Sequence, residues 1–90
     1  MNDILIHRHS ARVRDRDGTV YIASVMGHER KDGTWAGCIE FTPAEGSGDP
    51  LTTGQETSQP SRRALDYWAG GLEPVYLEGA LARARVRTRA

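Results

Sequence analysis

Ninety residues make one small domain, and 38% hydrophobic residues with 7% aromatics give it a modest core, so its net stability is expected in the lower part of the usual range of roughly 5–15 kcal/mol. Twelve basic and twelve acidic residues cancel, which removes the global field that draws a chain onto nucleic acid or an anionic membrane. Cys38 is the only cysteine; it excludes an internal disulfide, and with no membrane-length apolar run and no apolar signal region at the start, the expected setting is a bacterial cytoplasm.

Residues 1–16 begin with Ile4-Leu5-Ile6, which has strand character, but His7-Arg8-His9-Ser10-Ala11-Arg12-Val13-Arg14 is polar and weakly patterned. The stretch reads as an edge strand or as a loose arm. Arg16-Asp17-Gly18-Thr19 then runs into Val20-Tyr21, and Lys31-Asp32-Gly33-Thr34 runs into Trp35-Ala36 fifteen residues later. An Asp-Gly pair between such residues signals a hairpin, with a type I′ turn and positive φ at both central positions as the expected geometry. Between the turns, Val20, Ile22 and Met26 alternate with Tyr21, Ala23 and Val25, a strand apolar on much of both faces. After the second turn, Trp35, Gly37, Ile39 and Phe41 share one face and Ala36, Cys38, Glu40 and Thr42 the other, which assigns the first set to the core.

Pro43 ends that strand, and residues 43–50 have the composition of a mobile loop. A short strand is expected around Leu51 to Glu56. Thr57-Ser58-Gln59-Pro60-Ser61 then supplies hydroxyls to cap a helix from about Pro60 to Ala69, with Ala64, Leu65, Trp68, Ala69 and Leu72 at helical spacing and Gly70-Gly71 as the stop. Glu73-Pro74 opens a second helix whose stripe is Tyr76, Leu77, Ala80, Leu81 and Ala84. Trp35 and Trp68 are expected to meet where sheet and helix join. The fold class is α+β: an antiparallel meander of three or four strands followed by two C-terminal helices packed on one face.

About half of the chain resembles a family of small bacterial proteins of unknown function. The residues that carry this are Asp32-Gly33-Thr34-Trp35-x-Gly37-x-Ile39-Glu40-Phe41, Glu56-Thr57-x-Gln59-Pro60, and Tyr67-Trp68-Ala69-x-Gly71-Leu72-Glu73-Pro74-Val75-Tyr76-Leu77-Glu78-Gly79-Ala80-Leu81. That resemblance implies no activity. In order of elements the chain is also similar to HicB-type antitoxin domains, which pair with a toxin, although no Gly-Cys turn of their kind follows Pro43. Strands followed by a helix resemble double-stranded-RNA-binding domains as well, with the basic residues at the helix start reduced to Arg62 and Arg63.

No complete catalytic, metal or nucleotide motif is present, and the chain reads as non-enzymatic with no cofactor. Glu40, Glu56, Tyr67 and Tyr76 are the groups that acid–base chemistry would have to use. His7-x-His9 with His28 across a hairpin offers three imidazoles, but at no metal-site spacing. Cys38 reads as a small hydrophobe in a strand. Charge is uneven: residues 29–58 carry six acids against Arg30 and Lys31, and the last third carries Arg62, Arg63, Arg83, Arg85, Arg87 and Arg89. An acidic middle and a basic end can dock against each other within a chain or between copies. The expected function is an interaction or regulatory module, a homodimer that binds another protein, with Tyr67, Glu40, Glu56, Arg62 and Arg63 as candidate partner-binding residues. The alternative is nucleic-acid binding by Arg83, Arg85, Arg87 and Arg89, which share one face if the end is a strand and spread around it if the end is a helix.

Overall fold

The computed structural model describes residues 3–46 and 48–89, except for the side chains of Thr88 and Arg89. It comprises β1 (Ile4–Arg14), β2 (Val20–Glu29), β3 (Trp35–Pro43), β4 (Leu51–Thr52), β5 (Thr57–Gln59), α1 (Arg62–Gly70) and α2 (Pro74–Arg89). All pairings are antiparallel, in the order β1-β2-β3-β4, and β5 joins β4 on the outer edge of β3. The meander and two C-terminal helices are the α+β architecture that the periodicity predicts.

Both Asp-Gly hairpins form, but not with type I′ turns. Gly18 and Gly33 have φ of 89° and 88°, while no residue other than glycine has positive φ among the described residues. Gly18 N–H donates to Asp15 and Gly33 N–H to Arg30, and the pairs Asp15–Thr19 and Arg30–Thr34 close the loops. This is a three-residue hairpin, a type I turn followed by a left-handed glycine. Only the glycine then needs a left-handed backbone, because each aspartate works through its side chain: Asp17 accepts from Thr19 N–H and Asp32 from Thr34 N–H, each at 2.9 Å.

Residues 4–14 form an edge strand rather than an arm. Its register slips twice: Ile6 is an extra residue between the Leu5–Met26 and His7–Val25 pairs, and His9-Ser10-Ala11 together oppose Ala23. Such bulges bend an edge and discourage another chain from pairing with it. The opposite edge is closed differently. Thr53, only 2% exposed, bridges the gap between β4 and β5, its N–H donating to Ile39 O and its Oγ1 accepting from Ile39 N–H, both at 2.9 Å. The strand expected over Leu51 to Glu56 is therefore confined to Leu51–Thr52. Residues 57–59, expected to cap a helix, instead pair with Trp35, Ala36 and Gly37, because the edge of β3 has donors and acceptors that need partners.

Ser61 takes the capping role, its Oγ accepting from Ala64 N–H at 3.0 Å. From α1, Leu65 and Ala69 enter the core; from α2, Leu77, Ala80, Leu81 and Ala84 do so, at the spacing of one helix face. They meet Tyr21, Ala23 and Val25 of β2 and Ile39 and Phe41 of β3. Trp35 and Trp68 do not form the expected central pair. Both are half-buried at the margin, where Trp68 meets Tyr76 edge to face at 6.0 Å and Arg62 lies 5.8 Å over the Trp35 ring. The centre belongs to Phe41, Ile39 and Leu65, all fully buried.

Candidate functional site

Both helices cover one face of the sheet, which leaves the other open. The register assigns the residues of that open face in rows across the strands. Leu5, Met26 and Cys38 form one row, Arg8, Ser24, Glu40 and Thr52 the next, and Arg12, Ile22 and Thr42 a third. Leu5 is 45% exposed. Arg8 Nε lies 3.4 Å from Ser24 Oγ, so its stem crosses the sheet and buries that serine. The open face is thus apolar along β2, basic along β1 and acidic at Glu40.

One end of this face holds a polar cluster that sequence spacing does not reveal. Asp3 Oδ1 lies 2.8 Å from His28 Nδ1, and Cys38 Sγ donates to Asp3 Oδ2 at 3.7 Å. Thr52, Gln55 and Arg87 complete the walls of a cleft of about 250 Å³. Burial, reinforced by the neighbouring Asp3 carboxylate, pushes the Cys38 thiol from its ordinary 9.0 up to about 11. At pH 8 this leaves about a hundredfold less thiolate than an ordinary thiol, and the thiolate is the nucleophile. Alkylation of the folded protein by iodoacetamide at pH 8, followed by mass spectrometry, is expected to run about a hundredfold slower than in the urea-unfolded chain. Equal rates would show that Cys38 is an ordinary thiol.

The candidate partner residues do not form one patch. Tyr67 projects from α1 and is 87% exposed. Arg62 and Arg63 line a groove of about 360 Å³ with Asp66 and Ile6 between α1 and β1. Glu40 is on the open face, whereas Glu56 turns to α2, where Tyr76 Oη donates to its Oε1 at 2.6 Å and Arg83 donates to both oxygens, at 2.5 and 3.2 Å. The two carboxylates therefore do not converge. Burial opposes ionisation of Glu56, but the bonds from Arg83 and Tyr76 outweigh it and its carboxyl titrates below the usual range. The same contact raises Tyr76, through burial and then the Glu56 bond, to about 12.

The C-terminal arginines lie on a helix, not on one strand face. Arg83 binds Glu56, Arg85 pairs with Asp15 and lies 3.7 Å from Asp17, and Arg87 donates to the carbonyls of Thr52 and Thr53 at 3.3 Å. The side chain of Arg89 lies outside the described atoms. Charge asymmetry along the chain is thus satisfied in part within it, as the ion pair between Glu56 and Arg83 shows.

The histidines separate as well. His7 and His9 meet edge to face at 4.7 Å, while His28 faces Asp3. His9 Nε2 is buried without a hydrogen-bond partner. Burial, then the neighbouring His7, lowers its pKa, and a backbone contact to Ala69 opposes this. Among the described residues no group of His, Cys, Asp and Glu has the arrangement of a metal site, and no helix is long and apolar enough to cross a membrane. No protein-family model, curated protein or solved structure matches the chain.

Proposed function

We propose that the domain is a small, non-enzymatic interaction module that acts as a homodimer and binds another protein, with the open face of the sheet as its working surface. The observation that carries this reading is the character of that face. A sheet solvated on one side usually alternates apolar-in and polar-out, yet Leu5, Val20, Ile22, Met26 and Cys38 all fall on the side away from the helical layer, Leu5 exposed and the others half-buried. Apolar residues gathered on an uncovered surface and rimmed by charge are the usual mark of an interaction site. The ion pairs of Arg83 and Arg85 within the chain support a protein partner over nucleic acid, because a guanidinium already on a carboxylate neutralises no phosphate.

The test compares wild type with Met26→Arg on the open face and Val75→Arg on α2, where Val75 is 75% exposed. Each is tagged in its own cells and cross-linked before isolation. Met26→Arg is expected to lose the cross-linked proteins about tenfold while Val75→Arg keeps them, with thermal melts confirming that both fold. Identical cross-linked products from all three would remove the open face from consideration.

A further inference from the structure

We infer that the open face pairs with the open face of a second copy, about a two-fold axis that runs along β2, so that Arg8 of each copy meets Glu40 of the other. The inference rests on the reading of that face as the working surface and adds its occupant and geometry in the free protein, a second copy that the partner protein displaces when it binds. In the row through Ser24, Arg8 stands on β1 and Glu40 on β3, one strand to either side of β2. A face-to-face pair has its two-fold axis in the plane between the sheets. If that axis lies along β2, rotation places β1 over the β3 of the partner copy. Arg8 then faces the carboxylate of Glu40, Met26 and Ser24 face their own copies near the axis, and Leu5 faces Cys38.

An axis running across the strands gives the opposite result. It sets β1 over the β1 of the partner copy, and the arginines of that strand, Arg8, Arg12 and Arg14, oppose one another. Like charges juxtaposed across an interface oppose association, so electrostatics selects the axis along β2. The basic and acidic sides extend beyond the central row. Arg12 and Arg14 form one wall and Glu45 the other of a cleft of about 680 Å³ at the end of the face, and the same rotation carries each wall toward the opposite wall of the second copy.

The strand edges offer no comparable route. β1 is bulged at Ile6 and again at His9–Ala11, and the edge of β3 is taken by β4, Thr53 and β5. Size is adequate. With strands about 4.8 Å apart and about 3.3 Å per residue, the three long strands, about ten residues each, project roughly 500 Å², and the side chains standing on them add accessible area toward the roughly 800 Å² per partner of a standard interface. Two twisted sheets in this arrangement pack with strands aligned to within about 30°.

Sedimentation equilibrium of the purified chain is the test, with wild type, Arg8→Glu, Glu40→Arg and the double exchange at low salt. The expected result is a species of twice the 9.9 kDa chain mass, with each single exchange raising the dissociation constant about tenfold or more and the double exchange returning to within about threefold of wild type. Met26→Arg is expected to give monomer. A wild-type monomer at about 100 μM, a dimer indifferent to Met26→Arg, or single exchanges that the double exchange fails to restore would each overturn the inference. Wild-type monomer together with loss of cross-linked proteins in Met26→Arg cells would overturn the self-pairing alone and leave the interaction reading intact. Dimerisation with cross-linking to other proteins unchanged by Met26→Arg would instead sink the reading that this face binds them.

Discussion

Truncation of Leu65 to alanine is expected to cost about 2–5 kcal/mol, a large share of the stability of a domain this small. Leu65 is fully buried because two glycines make room for it. Gly27 and Gly37 pair across β2 and β3 on the covered face, and a Cβ built on either would lie 2.6 or 2.7 Å from a Leu65 methyl. The sheet thus has a notch, and α1 docks by filling it. Gly37→Ala is therefore expected to cost about 1–3 kcal/mol by overpacking, although alanine is the better strand residue. The two costs are not additive. Without the Leu65 methyls the added Cβ loses its closest contact and keeps Thr57 Cγ2 at 3.1 Å, so Gly37→Ala is expected to cost less than about 1 kcal/mol in the Leu65→Ala background. Urea unfolding of the four proteins measures the cycle, with Leu65→Val taking the place of Leu65→Ala if the latter does not fold. Strict additivity would mean that α1 does not key into the glycine pair.

The notch also shows which parts of the fold were legible in sequence. Local signals carried the hairpins and helices: Asp17-Gly18 and Asp32-Gly33 mark turns wherever they fall, and Trp35-x-Gly37-x-Ile39-x-Phe41 has the period of a half-buried strand. That pattern placed Gly37 on the core face, but which side chain fills the space depends on α1, more than twenty residues later. β5 is hidden in the sequence for a related reason. Thr57-Ser58-Gln59 has no apolar alternation, and it is a strand because β3 has an unpaired edge beside it. The same distance hides Asp3, His28 and Cys38 from one another until the register of three strands is known.

Placement of the charged residues follows the same logic. Composition signalled an acidic middle and a basic end, and either pairing within the chain or pairing between copies would satisfy it. The fold divides the charges between these uses. Arg83 and Arg85 are spent on Glu56 and Asp15, which fasten α2 to the loop before β5 and to the first hairpin. Arg8 and Glu40 stay on the open face, and Arg12 stands at its β1 margin opposite Ile22. Separating the two sets is what turns an even charge balance into a face with a basic and an acidic side.

The fastening at Glu56 gives the domain its expected pH limits. The Glu56 side chain is 9% exposed, and its removal leaves the Tyr76 hydroxyl half-buried without its acceptor, so Glu56→Ala is expected to cost about 2–3 kcal/mol. The folded carboxyl titrates below its ordinary 4.5. An unfolded chain therefore takes up this proton more readily, and the stabilisation is present above about pH 4.5 and is lost as pH falls through the folded value. Tyr76 sets the other limb. Unfolded, it ionises near 10, whereas folded it keeps its proton to about 12. Its contribution is complete below pH 10 and disappears as pH rises toward 12. Glu56→Gln is expected to flatten the acid limb of a stability profile and to weaken the alkaline one, because the group that holds the Tyr76 proton has lost its charge. Tyr76→Phe is expected to remove the alkaline limb and keep much of the acid limb, since Arg83 still binds the carboxylate. Urea titrations across this range provide the measurement, and acid limbs of equal depth in wild type and Glu56→Gln would show that other carboxyls govern acid unfolding.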